Sequence, residues 1–247
     1  MNVFVRALST GAPRKPAVEL LQALREARLS WDIDFYWFKS FCQDPLNEMF
    51  AEARKTTADF IILLHDDVGL EQPLDIAKLP ALNLPMVNTM IPVWQSSGAM
   101  YWNCYHLTPD EILFSVDDTR MEPVEQIYQS CLAMTCYRRD VIDAIKQPFQ
   151  IGVEDDGTLS DQGGADVRFC RELHRLDIPI YTATEIRPWH LRTVELQSLV
   201  KAFKSYQTSS YGLPSMVRKD CKGMGFPVSK SYQERWRSGR IHRPQGI

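Results

Sequence analysis

Apolar and polar positions switch between two periods along this chain. Val3-Phe4-Val5-Arg6-Ala7-Leu8 is short, β-branched and aromatic, and Ser9-Thr10-Gly11-Ala12-Pro13 interrupts it, so a strand is predicted over 3–8. Ala17, Leu20, Leu21 and Leu24 then repeat at helical spacing. Trp31 to Phe38 predicts a second strand. Asp44-Pro45 opens a second helix, because Asp accepts from exposed N–H groups and Pro tolerates the first turn. Leu46, Met49, Phe50 and Ala53 form that helix's apolar face. Phe60 to Leu64 is apolar without interruption, the pattern of a strand covered on both faces.

Strand, helix, strand, helix, strand predicts a parallel sheet in an α/β layer fold, with ligands at the C-terminal strand ends. Further strands are predicted from Pro85 to Asn88, Cys131 to Tyr137 and Pro179 to Thr184, with helices over Arg139 to Ile145 and Asp166 to Leu176. The stretch from Trp94 to Glu122 is aromatic and irregular and carries no clear period. Gly152 to Gly164 is rich in Gly, Asp and Glu and reads as a loop, its acids Glu154, Asp155, Asp156 and Asp161 as solvated. Composition turns basic and loop-like near residues 205–212, which divides the chain into 1–205 and an extension over 206–247.

Composition sharpens this picture. A chain of 247 residues with 45% hydrophobic and 11% aromatic content is globular. It has no apolar run long enough for a bilayer and no secretory leader, and its six cysteines form no C-x-x-C pair. Most of those cysteines lie in apolar stretches, the habit of buried reduced thiols, so a cytoplasmic location is expected. The net charge of −3 conceals an asymmetry. Residues 211–247 hold eight basic side chains against two acidic ones, a surplus of six, which leaves −9 on residues 1–210. Tyr211, Phe226, Tyr232 and Trp236 are interleaved with those cations. Such a tail fits a nucleic-acid backbone with exposed bases, or else docks on its own acidic body.

The candidate chemistry sits where the predicted strands end. His65-Asp66-Asp67 closes the buried strand, and carboxylates there suit Mn²⁺ or Mg²⁺ with positions left for phosphate oxygens. Asp166 opens a helix after Gly163-Gly164, as a base or as a cap. His190 follows the strand that begins at Pro179. The signatures of P-loop NTPases, dinucleotide-binding proteins, zincins and α/β-hydrolases are absent.

The order of these parts resembles the GT-A nucleotide-sugar glycosyltransferases, especially short forms from phage and bacteria. Asn47 lies on the helix before an apolar strand that ends at His65-Asp66-Asp67, in the place of that family's D-x-D. Ala165-Asp166-Val167-Arg168-Phe169-Cys170, Ile178-Pro179-Ile180-Tyr181 and His190 follow in the family's order. The resemblance covers about residues 1–192 and implies a GT-A-like, mixed and mainly parallel sheet flanked by helices. It implies Asp67 and His190 as metal ligands with His65 beside them, and Asp166 as the base that deprotonates an acceptor hydroxyl. Asp66, Asn47 and the first loop, Ala7, Leu8, Ser9 and Thr10, would face a nucleotide-sugar donor. The departures are His65 for the first acid of D-x-D, Ala165 for the acid before Asp166, and a first loop without the family's proline-tyrosine-asparagine pattern. A phage-type chain with a basic tail further suggests a hydroxylated base in DNA as acceptor and a host cytoplasm as location. A glycan or small-molecule acceptor, a metal-dependent nucleotidyltransferase and a non-catalytic binding protein are the competing readings.

Overall fold

The computed structural model describes residues 1–9, 11–37, 43–94, 100–116, 121–146, 164–191, 218–222 and 224–241. The first half follows the predicted alternation closely. Strand β1 (Val3–Ser9) leads to helix α1 (Lys15–Glu26), β2 (Asp32–Trp37), α2 (Gln43–Lys55) and β3 (Phe60–His65). β1 pairs in parallel with both β2 and β3, so it sits between them and is buried along its length. Arg6 is the charged residue within it. Its guanidinium reaches the edge strand, pairing with Asp32 at 3.0 Å and with Glu52 of α2 at 3.0 Å, which satisfies a charge that burial would otherwise penalise.

The central sheet is completed by β5 (Met86–Thr89), β10 (Val124–Ile127), β12 (Met134–Arg138) and β13 (Ile180–Ala183), in the order β10-β13-β5-β12-β3-β1-β2. Five of these seven strands run in one direction. β12 and β10 are reversed, so the sheet is mixed and mainly parallel, with helices on both faces. The alternation within β3 explains its unbroken apolar run. Phe60, Ile62 and Leu64 join Ala17, Leu20, Leu21 and Leu24 of α1 in one cluster. Ile61 and Leu63 join Leu46, Met49, Phe50 and Ala53 of α2 on the other face. Helix α5 (Ala165–Arg175) adds Phe169, Cys170 and Leu173 to that second face. Phe50, Tyr137 and Phe169 meet edge to face there, with ring centroids 5.1–6.1 Å apart.

The stretch without a clear period contains short strands: β7 (Met100–Trp102), β8 (Cys104–Leu107) and β9 (Ile112–Ser115). The β8–β9 hairpin turns through Thr108 to Glu111, with Glu111 at φ 59° where glycine is the usual residue. The Thr108 hydroxyl accepts from Ile112 N–H at 3.0 Å and braces the turn. β11 (Gln129–Ser130) and β15 (Arg218–Asp220) complete a second sheet, β11-β8-β9-β15. The predicted strand over 131–137 therefore starts later, at Met134, because the chain first pairs with β8 through Gln129 and Ser130.

The predicted extension, as far as it is described, is part of the fold. β15 pairs with β9, and helix α6 (Lys230–Arg237) packs Tyr232 against Leu107, Leu113, Tyr128 and Cys221. These described residues pack on the preceding part of the chain, mainly through apolar side chains. Tyr232 is buried, and Phe226 and Trp236 are partly buried against the same cluster. Arg171 lies over the Phe226 ring at 3.8 Å. Arg235 pairs with the buried Glu125 at 2.8 Å, while Lys230, Arg237 and Arg240 are exposed. Tyr211, Arg243, the loop acids Glu154 to Asp161 and Cys42 lie outside the described residues. The five described cysteines are thiols, four of them buried, and burial pushes Cys104 and Cys170 up to about 12. Among the described residues no helix is long and apolar enough to cross a membrane.

Candidate active site

The acids after β3 sit where the parallel strands end. Asp66 N–H donates to the carbonyl of Leu8 at 3.1 Å, which ties the turn to the end of β1. The chain then enters β4 (Val68–Leu70), which pairs antiparallel with β14 (Pro188–His190), setting His190 opposite Val68. Leu191 N–H donates to the carbonyl of Asp67 at 2.7 Å and extends this ribbon by one bond. Close approach depends on Gly69. A Cβ there would meet the Trp189 ring at 2.8 Å, so a side chain at 69 would push β14 away.

The ribbon brings the two predicted ligands together. His190 Nε2 lies 3.2 Å from Asp67 Oδ2, and both side chains are nearly buried. His190 Nδ1 is 3.3 Å from the Pro92 carbonyl, on β6 (Pro92–Trp94). A carbonyl only accepts, so Nδ1 carries a proton, and Nε2 is the ring nitrogen turned toward the carboxylate. Nε2 has no well-aligned hydrogen-bond donor or acceptor of its own. Two side-chain atoms of ligand type thus converge at one point of the ribbon. An imidazole held by a backbone carbonyl is the usual preparation of a metal-binding histidine. Cis ligands of an octahedral Mg²⁺ lie about 2.9 Å apart, close to the separation seen here.

Asp66 and Asp67 share Arg14 as a partner and differ in the rest. The Ser9 hydroxyl donates to Asp66 Oδ2 at 2.6 Å, which holds this carboxylate over the end of β1. Arg14, immediately before α1, places Nη1 3.3 Å from Asp67 Oδ2 and Nε 3.8 Å from Asp66 Oδ1. Sequence reading passed over Arg14. The available signal was a cation at the junction of the first loop and the first helix, the edge of the predicted ligand site. Trp37 was passed over as well. It is exposed at the end of β2, in register with Ser9.

The other expected site residues are spread more widely. Ala7 and Leu8 are buried in the two core clusters, so they offer a ligand backbone only, and the Leu8 carbonyl is taken by Asp66. Thr10 lies outside the described residues. Asn47 lies in the early turns of α2, half-buried, on the helix that follows the end of β2. His65 is the last residue of β3, half-buried, in register with Leu8. Strand alternation puts it on the α2 face with Ile61 and Leu63. Among the described residues no three His, Cys, Asp or Glu side chains gather to hold an ion, so His65 does not complete a three-ligand cluster with Asp67 and His190. A pair of protein ligands still fits Mg²⁺ or Mn²⁺, which commonly bind through one or two side chains plus substrate phosphates.

Asp166 lies in the first turn of α5, behind the N-cap Gly164, and its Oδ1 accepts from Val167 N–H at 2.9 Å. Burial raises its pKa above the ordinary carboxylate value, opposed by that N–H and its own. Its charge also helps push Tyr137 and Cys170 up, which sets it on the α2–α5 face of the sheet. The N-cap position itself belongs to Gly164, so Asp166 is a first-turn residue that accepts from the next N–H and whose proton affinity burial has increased.

No protein-family model matches the sequence, and no curated protein matches it. The fold resembles that of A197 from STIV, with a TM-score of 0.55 at 15% identity over 78% of this chain and 87% of that one. Weaker likenesses are to GalNAc-T7 with UDP, GalNAc and Mn²⁺ (TM-score 0.48, 10% identity, 78% of this chain and 44% of that one) and to CMP:2-keto-3-deoxy-manno-octonic acid synthetase with CTP (TM-score 0.42, 14% identity, 84% and 100%). At these identities the likeness to A197 speaks for the fold alone, and the two weaker ones carry no weight.

Proposed function

We propose that this chain transfers a sugar from a nucleoside-diphosphate donor to an acceptor hydroxyl, using a divalent cation. The observation that carries this reading is the Asp67–His190 pair at the C-terminal edge of the sheet, with His190 oriented by the Pro92 carbonyl so that Nε2 meets the carboxylate at 3.2 Å. Asp67 and His190 would hold Mn²⁺ or Mg²⁺, which when bound neutralises the charge that develops on the leaving diphosphate. Asp66, held by Ser9, adds negative potential beside them. Trp37 offers an exposed ring to the donor's base. Asp166, with its raised proton affinity, takes the acceptor proton.

The acceptor is a hydroxyl compound whose class the tail bears on. Lys230, Arg237 and Arg240 present charge to solvent, but the aromatic rings nearby are drawn into packing. A DNA acceptor therefore rests on phosphate contacts alone, and affinity that falls steeply with salt is its test.

The proposal is tested by titrating Mn²⁺ and nucleotide-sugars into the protein and its Asp67→Asn variant. Wild type is expected to bind donor in a Mn²⁺-dependent way and to release nucleoside diphosphate. Asp67→Asn should lose both while melting at the same temperature. Release of pyrophosphate from a nucleoside triphosphate would identify a nucleotidyltransferase instead, and full turnover in chelator would end the metal reading.

A further inference from the structure

The two acids of the site are not alone with their charge. Asp66 and Asp67 are adjacent, with side chains only 15% and 12% exposed, and the guanidinium of Arg14 bridges them. Arg14 is itself 50% exposed. Among the described residues its guanidinium has no partner except these two carboxylates. Its backbone, by contrast, is anchored, since Val18 N–H donates to the Arg14 carbonyl at 3.2 Å in the first turn of α1. The side chain can therefore leave the acids without disturbing the core, whereas the acids cannot be left without a cation. Two neighbouring carboxylates withdrawn from water repel each other unless positive charge is supplied.

We infer that Arg14 is the resident counter-ion of the cation site: it neutralises Asp66 and Asp67 in the ligand-free protein, yields them to a divalent cation, and turns its guanidinium onto the diphosphate that arrives with that cation. The inference deepens the metal-and-diphosphate reading above and rests on it. A guanidinium has the forked donor geometry that diphosphate oxygens accept, and at this position it need only rotate about its own side chain to find them. A divalent ion outcompetes it at the acids because it brings twice the charge to the same oxygens. Exchange of partners couples the two ligands. Cation alone must evict Arg14 into water, while cation with diphosphate gives Arg14 a new anion. Each ligand therefore tightens the other, by the same factor in both directions.

The test is direct binding, independent of turnover. Mn²⁺ affinity is measured by the electron paramagnetic resonance of unbound Mn²⁺ in wild type, Arg14→Gln and Arg14→Lys, with and without UDP or GDP as the diphosphate probe. Without nucleotide, Arg14→Gln is expected to bind Mn²⁺ about tenfold tighter than wild type, a change of ~1.4 kcal/mol. At saturating Mn²⁺ it is expected to bind the diphosphate about tenfold more weakly, with Arg14→Lys between the two. Equal Mn²⁺ affinity in wild type and Arg14→Gln, with Asp67→Asn abolishing it, would overturn the counter-ion role and leave the metal site standing. Tighter Mn²⁺ binding with unchanged diphosphate affinity would overturn the second half, transfer of Arg14 to the donor. Absence of Asp67-dependent Mn²⁺ binding in every variant would overturn the metal reading and this inference with it.

Discussion

Two regions of this molecule are built around histidines, and they use them in opposite ways. At the ribbon, His190 has its Nδ1–H on a backbone carbonyl and its Nε2 against the carboxylate of Asp67, beside Arg14. Where the C-terminal segment docks, His174 donates from Nε2 to the Tyr128 carbonyl at 2.8 Å. It accepts at Nδ1 from the hydroxyl and the N–H of Ser229, which also caps α6. His106 faces the Tyr232 hydroxyl at 3.2 Å, and that hydroxyl accepts from Leu107 N–H at 3.0 Å. These hydrogen-bond partners of His174 and His106 are neutral groups. The first region gathers charge at the ends of parallel strands, while the second buries polar groups that satisfy one another.

The comparison makes separable predictions. The largest effect is expected at Asp166. Asp166→Asn should cut turnover by about 10²–10⁴-fold with donor affinity retained, as loss of a general base does. Stability should move the other way. A carboxyl whose folded pKa is raised destabilises the fold as pH climbs past its unfolded value, so the amide should melt higher than wild type at pH 7 and gain nothing in strong acid. A variant that is less stable at pH 7 and fully active would show Asp166 to be a helix-start residue only.

The next effect belongs to the docked segment. Tyr232→Ala empties a buried site and orphans Leu107 N–H, for an expected loss of about 3–5 kcal/mol in denaturant. Mn²⁺ affinity at Asp67 should survive below the unfolding transition. If it falls in parallel with stability, the two regions are one unit and the contrast fails.

The smallest effect is set by pH. Burial depresses His174 to about 4 and His106 to about 3, so each is neutral in the folded protein. Between pH ~6.5 and ~4 the unfolded chain binds protons that the folded one refuses, so stability is lost as pH falls through that window, by up to ~3 kcal/mol for His174. His174→Gln should flatten this acid limb in a denaturant series at stepped pH. An unchanged limb would show that His174 does not titrate between the two states.

The sheet was legible in the sequence where periodicity is strong. The apolar faces of α1 and α2 and the continuous run of β3 belong to layers that bury both sides of a strand, and such layers leave long uniform patterns. The region of β7, β8 and β9 was not legible. Its strands span three or four residues, and its hairpin places Glu111 where a glycine would have announced the turn. The meeting of Asp67 and His190 was legible because both follow predicted strands whose ends lie at one edge of the sheet. Arg14 was missed because only the folded turn shows that its side chain reaches both acids. The expected loop role of Ala7 and Leu8 ran against their own hydrophobicity, which draws both side chains into the core.

The β4–β14 ribbon has a consequence for the order in which the protein comes into being. Asp67 belongs to the first βα units to be synthesised, and His190 is delivered only after β12, α5 and β13 have taken their places. During synthesis the early half can assemble its parallel strands and expose its acids, with Arg14 to shield them, long before an imidazole is there to share a metal ion. Under the reading proposed above, only the finished body offers a cation both side chains of the Asp67–His190 pair.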